Sequence, residues 1–213
     1  MTQTPSPSSS SLDIGEAFRA GWRGFTANIG PLIVVALIVW VVTGAVNWLS
    51  TDTTGIIRFL ASVVSFFLGQ LIAIVWISLA LAIIDGRPIS GESLLPDGST
   101  LISYIIASLV FSVMFAVGLV LLIIPGIIVA VVFGLYGWAL VDKGLDPIGS
   151  LRESSRLTAG RRGQLFLFVL LAIGLNILGL LALIVGVLIT SAVTLIAAGH
   201  VYRQLDGSLQ PAA

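Results

Sequence analysis

Cysteine is missing from all 213 residues, and histidine occurs once, as His200. The first absence excludes disulfides, thiolate nucleophiles, Cys-ligated zinc and iron–sulfur clusters together. The second leaves no material for a His-rich metal site or a His-based catalytic constellation. No catalytic residue, metal or cofactor is therefore expected. Charge is scarce as well: ten Lys plus Arg and ten Asp plus Glu make up 9% of the chain, with a formal net charge of zero, against about 25% charged residues in soluble domains. A neutral chain offers no basic field, so nucleic acid is not an expected partner. What remains is apolar, with 57% hydrophobic residues and a mean hydropathy of +1.12. Such a chain is an integral membrane protein.

A bilayer core of about 30 Å needs roughly 20 helical residues, and backbone facing lipid must satisfy its own hydrogen bonds. The uncharged runs are therefore read as helices, and the fold class is all-α, a polytopic helical bundle. The run before Asp52 holds one span at about 31–49, and the run after Arg58 holds another at about 59–84. Ser99 to Val141 is too long for one crossing, and LLIIPGIIV marks where it folds back. Pro125 lacks an N–H and suits the first turn of a new helix, which gives spans at 101–123 and 125–141. Gly163 to Tyr202 is again about two bilayers long, with a break expected between Gly179 and Gly186 and spans at 164–181 and 185–203. Six spans is the expected count, with five plus a re-entrant segment as the alternative. Residues 1–11 read as a disordered Ser/Thr/Pro tail, with no basic stretch before a short apolar core as a signal peptide would have, and 207–213 as a C-terminal tail.

Six spans place nine of the ten basic residues on one side and leave Arg58 alone opposite. By the positive-inside rule both termini are expected in the cytoplasm of a cell whose inner membrane holds the protein. The segment from Asp142 to Gln164, with five of the ten basic and three of the ten acidic residues, then reads as the signal that holds the middle of the chain inside.

Two amphipathic helices are expected on that inner surface. Residues 13–28 begin with Asp13 and Glu16 as a capping box and carry an apolar stripe of Ile14, Phe18, Trp22, Phe25 and Ile29. Residues 146–161 begin with Asp146 as N-cap and Pro147 at the first position, with a weaker stripe of Ile148, Leu151 and Ser155. The two stretches align at an offset of 133, Asp13 with Asp146, Arg19 with Arg152 and Arg23 with Arg156, and each leads into a hairpin. SGESL at 90–94 echoes IGEAF at 14–18 before the remaining hairpin. The chain reads as three parallel copies of a surface helix followed by two spans, with the middle copy degenerate.

DIGEAFRAGWRGFTANIGPLI, LLIIPGIIVAVV, GLDPIGSLRESSRLTAGRRGQLF and HVYRQL together resemble a family of small bacterial six-helix membrane proteins related to the membrane domain of glycerophosphodiester phosphodiesterases. The resemblance covers about residues 12–206, nearly all of the chain, and implies a helical membrane domain. The phosphodiesterase catalytic domain has no counterpart here.

Ionisable residues are absent at membrane depth, which argues against an ion-coupled carrier. Asn47, Gln70 and Asn176 are the strongly polar candidates there, and interhelical hydrogen bonding is the favoured role. Small residues at every fourth position, Ala61, Ser65, Gly69 and Ala73 among them, point to close packing inside the bundle. At the inner surface Arg19, Arg23, Arg152, Arg156, Arg161 and Arg162 are candidates for contact with lipid headgroups or a partner. The residues thus suggest a non-enzymatic membrane protein that contacts lipid or serves as a scaffold or subunit for a membrane partner, including a second copy. A small transporter or lipid-translocating protein is the alternative.

Overall fold

The computed structural model describes residues 12–50, 54–181 and 183–209; the expected tail at 1–11 and Asp52 lie outside them. Among the described residues every regular element is a helix: α1 (Ile14–Ala27), α2 (Ile29–Ser50), α3 (Gly55–Ile84), α4 (Gly91–Leu94), α5 (Gly98–Leu121), α6 (Ile123–Phe133), α7 (Tyr136–Lys143), α8 (Pro147–Thr158), α9 (Arg162–Leu181) and α10 (Leu183–Asp206). Six stretches are long and apolar enough to cross a membrane: α2, α3, α4 with α5, α6 with α7, α9, and α10. The protein is a multi-pass helical membrane protein, with six helical stretches of spanning length among the described residues.

Helix ends follow local chemistry. Asp13, Asp97 and Asp146 each accept a hydrogen bond from the backbone N–H three residues on, capping α1, α5 and α8. The capping box expected at α1 is only half made. The Glu16 carboxylate turns to Arg23, while the Asp13 N–H donates instead to Gln204 Oε1 at 2.9 Å. The turn near Pro125 comes earlier than expected: Leu122 is extended, α6 starts at Ile123, and Pro125 falls at the third helical position, where its missing N–H still costs nothing. Gly118 and Gly126 let the two arms of that hairpin touch, since a Cβ on Gly118 would stand 2.9 Å from the Gly126 backbone.

The fourth span is broken at Gly134 and Leu135, a feature the apolar run did not announce. Its repair explains α8. Ser154, fully buried, accepts from the Leu135 N–H at 3.1 Å and donates to the Val132 carbonyl at 2.9 Å, and Thr158 donates to the same carbonyl at 3.2 Å. The face of α8 that packs is therefore Ser150, Leu151, Ser154, Leu157 and Thr158, and Ile148 of the expected stripe stays exposed. In α1, Ile14, Phe18 and Phe25 of the expected stripe pack against the bundle, and the closest approach is made by small residues beside them. The tightest face of α1 is Ala17 and Gly21, at the positions that align with Ser150 and Ser154. A Cβ on Gly21 would meet the Val193 carbonyl at 2.5 Å, so glycine sets the approach of α1 to α10. Trp22 of the expected stripe is 55% exposed.

Contacts among the elements form a ring. The α1 helix runs antiparallel along α10, with Asp13 at Gln204, Gly21 at Val193 and Gly24 at Ile196; α4 packs on α3; and α8 packs on α6 and α7. Each short helix thus covers the second span of the preceding hairpin. The core joins those second spans, with Ile74, Ile77, Ala80 and Leu81 of α3 meeting Leu135, Trp138 and Leu140 and the fully buried Tyr202 of α10. Burial is concentrated at the charged end. Towards the other end α3 is exposed at nearly every residue from 54 to 67, and within the small-residue stripe Ala73 packs against the core while Gly69 has open space beside it.

Replacing Ser154 with Ala removes the partner of the Leu135 N–H in a buried setting, where an unsatisfied group costs about 1–3 kcal/mol. The variant is expected to unfold that much more easily in mixed micelles, whereas Ser155→Ala, one residue along, leaves the unfolding midpoint in place.

Candidate functional site

The charged ends of α3, α7 and α10 converge on one guanidinium. Arg203, only 8% exposed, lies near the end of α10. Its Nε and Nη2 donate to the two Asp85 carboxylate oxygens at 3.0 and 2.7 Å, and Nη1 and Nη2 donate to the two Asp142 oxygens at 2.7 Å each. Asp85 is the C-cap of α3 and Asp142 stands in the last turn of α7, so the fork ties together the second spans of all three hairpins. The Tyr202 hydroxyl adds a hydrogen bond to Asp142 Oδ2 at 2.8 Å, and its ring stacks on Trp138. One arginine against two aspartates leaves an excess negative charge, which Arg87 offsets from the rim at 3.1 Å from Asp85. Planar, bidentate recognition of two carboxylates at once is a task for Arg and not for the point charge of Lys.

A second latch closes the neighbouring side. Lys143 donates to Glu153 of α8 at 2.8 Å and also binds Asp206, so α7, α8 and α10 share one ammonium group. Glu153 is held by Arg156 as well. The Arg156 guanidinium, helped by Lys143, keeps the Glu153 carboxyl well below its usual 4.5, at about 2.

Neither cluster follows from the sequence patterns above, although Asp85, Asp142 and Arg203 each close the second span of a hairpin. That shared position was the available signal. Of the arginines that were singled out, Arg19 and Arg23 stand on the outer face of α1 with side chains 77% and 67% exposed, Arg23 paired with Glu16. Around Phe18, Arg19, Trp22 and Arg23 lies a shallow recess of about 490 Å³. Arg152 and Arg156 are exposed on α8, Arg162 is exposed at the start of α9, and Arg161 beside it is half-buried. No hydrogen bond or ion pair among the described residues joins the α1 arginines to those of α8.

The intramembrane polar residues are likewise dispersed. Asn176 donates to Thr194 Oγ1 at 3.1 Å and accepts from Thr190 at 3.3 Å, holding α9 to α10. Asn47 lines a recess of about 100 Å³ between α2 and α3, with Thr43, Ser65 and Gly69, and Gln70 sits half-buried on α3 outside it. Neither of these two recesses holds more than one of the three. Among the described residues no group of three or more His, Asp or Glu is placed to hold a metal ion.

The chain is similar to the uncharacterised protein Rv2560 of Mycobacterium tuberculosis (strain ATCC 25618 / H37Rv), with 25% identity over 229 residues covering 93% of this chain and 70% of that protein. No family model matches the chain, and no solved structure does.

Because the folded Glu153 carboxyl titrates below its unfolded value, its contribution to stability is complete above about pH 4.5 and disappears as pH falls towards 2. Wild type and Glu153→Gln are expected to differ in unfolding midpoint at pH 7 and to converge in acid. A gap that stays constant down to pH 2.5 counts against the latch.

Proposed function

We propose that the protein is a non-enzymatic inner-membrane protein that engages anionic phospholipid through the outer face of α1, with the charged end and both termini in the cytoplasm. The observation that carries this is the recess at Phe18, Arg19, Trp22 and Arg23. It combines two exposed guanidinium groups with two aromatic rings on one helix, at the edge of an apolar surface. Aromatic rings of this kind favour the headgroup level of a bilayer. A cationic side chain near an anionic surface gains about 1 kcal/mol. The distribution of basic residues supports the cytoplasmic placement, nine against Arg58.

The helix is also held firmly enough to present such a face. Gly21 sits against the Val193 backbone, the Phe18 ring packs tilted against Phe168 with centroids 5.3 Å apart, and the Leu12 N–H donates to Gln164. Lipid bound there would touch a rigid, preformed surface, and a membrane partner could read the same surface as a scaffold. The motif resemblance to the membrane domain of glycerophosphodiester phosphodiesterases agrees with a role at phospholipid without assigning a reaction.

The test is retention of anionic phospholipid by purified protein, read by native mass spectrometry. Wild type is expected to retain it, and Arg19→Gln with Arg23→Gln to retain it about five- to thirtyfold less, as two contacts of about 1 kcal/mol imply. Arg58→Gln, at the opposite end, should behave as wild type. Equal retention by all three proteins would contradict the proposal.

A further inference from the structure

The ring of short helices has one weak member. The α8 helix covers its hairpin partner with 12 residues and α1 with 14, but α4 has only 4. Where a longer helix would lie over α3 and α7, the structure has a pocket of about 250 Å³ lined by Ser78, Leu81, Ala82, Arg87, Pro88, Ser93, Val141 and Asp142. Its volume falls below the range of about 300–1,000 Å³ usual for drug-sized ligands, so a small occupant fits.

The polar groups of that pocket are of opposite kinds. Arg87 stands at the mouth with its side chain 54% exposed and its Nη2 3.1 Å from Asp85, and a guanidinium has five N–H donors to share. Asp142 offers a carboxylate in the wall, with Oδ1 accepting one hydrogen bond, from Arg203. Ser78 contributes a hydroxyl without a hydrogen-bond partner among the described residues, and that oxygen is not sealed from the pocket, since no unsatisfied polar side-chain atom there is fully buried. Around the pocket Arg87 and Arg203 balance Asp85 and Asp142. A net anion would draw Arg87 away from Asp85 and leave Arg203 facing two carboxylates. A net cation would meet both guanidinium groups. A ligand that carries both charges disturbs neither balance.

We infer that this pocket binds a small zwitterion, a primary ammonium group a few atoms from an anionic oxyacid group, with the anionic end on Arg87 and the ammonium on Asp142. The Ser78 hydroxyl serves the atoms between. Such chemistry occurs in free amino acids and in ethanolamine phospholipid headgroups, and Arg87 and Pro88 at the mouth admit either from the charged side. The inference rests on the pocket alone and stands whether or not α1 engages anionic lipid.

The experiment measures binding of β-alanine to the full chain in nanodiscs of choline phospholipid, beside the near-isosteric propionate, propylamine and 1,3-propanediol. Saturable binding of β-alanine is expected, with the other three at least about tenfold weaker, the loss that follows from one missing charge-assisted hydrogen bond. Arg87→Gln should weaken β-alanine by about the same factor, and Arg87→Lys, which keeps the charge beside Asp85, should recover part of it. Ser78→Ala gives a smaller loss by an independent route. Repeating the titration with ethanolamine phospholipid in the nanodisc separates the sources: competition identifies the headgroup as occupant, and unchanged binding identifies a free zwitterion. Absence of saturable binding, equal binding of propionate or propanediol, or indifference to Arg87→Gln overturns the inference.

Discussion

Everything at the ordered end of this molecule depends on Arg203 reaching two aspartates from different hairpins. Inside a bilayer helices gain little by hiding apolar surface from one another, because lipid is as apolar as the side chains, and association relies on close packing and polar contacts. A buried ion pair is weak evidence of net stability, since desolvation offsets much of its attraction. Its value here is registration. Asp85, Asp142 and Arg203 have satisfied partners in one arrangement of α3, α7 and α10. A slip of one helix by a single turn, about 5.4 Å, would strand a charge.

Around that lock the short helices serve as local repairs. The buried Ser154 hydroxyl stands in for a missing backbone partner at the break between α6 and α7, and Gly21 at the aligned position of α1 gives up a side chain so that α1 can reach α10. The two solutions differ in chemistry and agree in place. The middle unit, with its four-residue α4, makes neither repair and leaves the pocket at Arg87. Far from the lock the first hairpin has few tight contacts, and its exposed apolar faces suit lipid.

Much of the frame was legible in the residues. Length and lack of charge gave six spans, Asp13 and Asp146 gave the starts of α1 and α8, and the echo between those stretches put matching residues on matching faces. The closest contacts were less legible, because an apolar stripe predicts what avoids water and says nothing of which small residues permit a backbone to come close. Ala17, Gly21 and Ser154 were the informative positions. The break at Gly134 and Leu135 was hidden for a related reason: its hydrogen-bonding cost is met by Ser154, 19 positions on from Leu135 and beyond any local pattern. The Arg203 lock joins residues 118 and 61 apart, and periodicity cannot show such pairing, although the recurrence of charge at the ends of three second spans was there to be compared.

The most direct measurement uses the absence of cysteine, which lets pairs of spin labels be introduced at will. Labels at Glu92 and Gly207 report the locked end, and labels at Ile56 and Leu121 report the far end of two hairpins. A narrow distance distribution is predicted at the locked end and a broad one at the far end, and Arg203→Met is predicted to broaden the first and leave the second unchanged. A locked-end distribution that stays narrow without Arg203 would contradict the account.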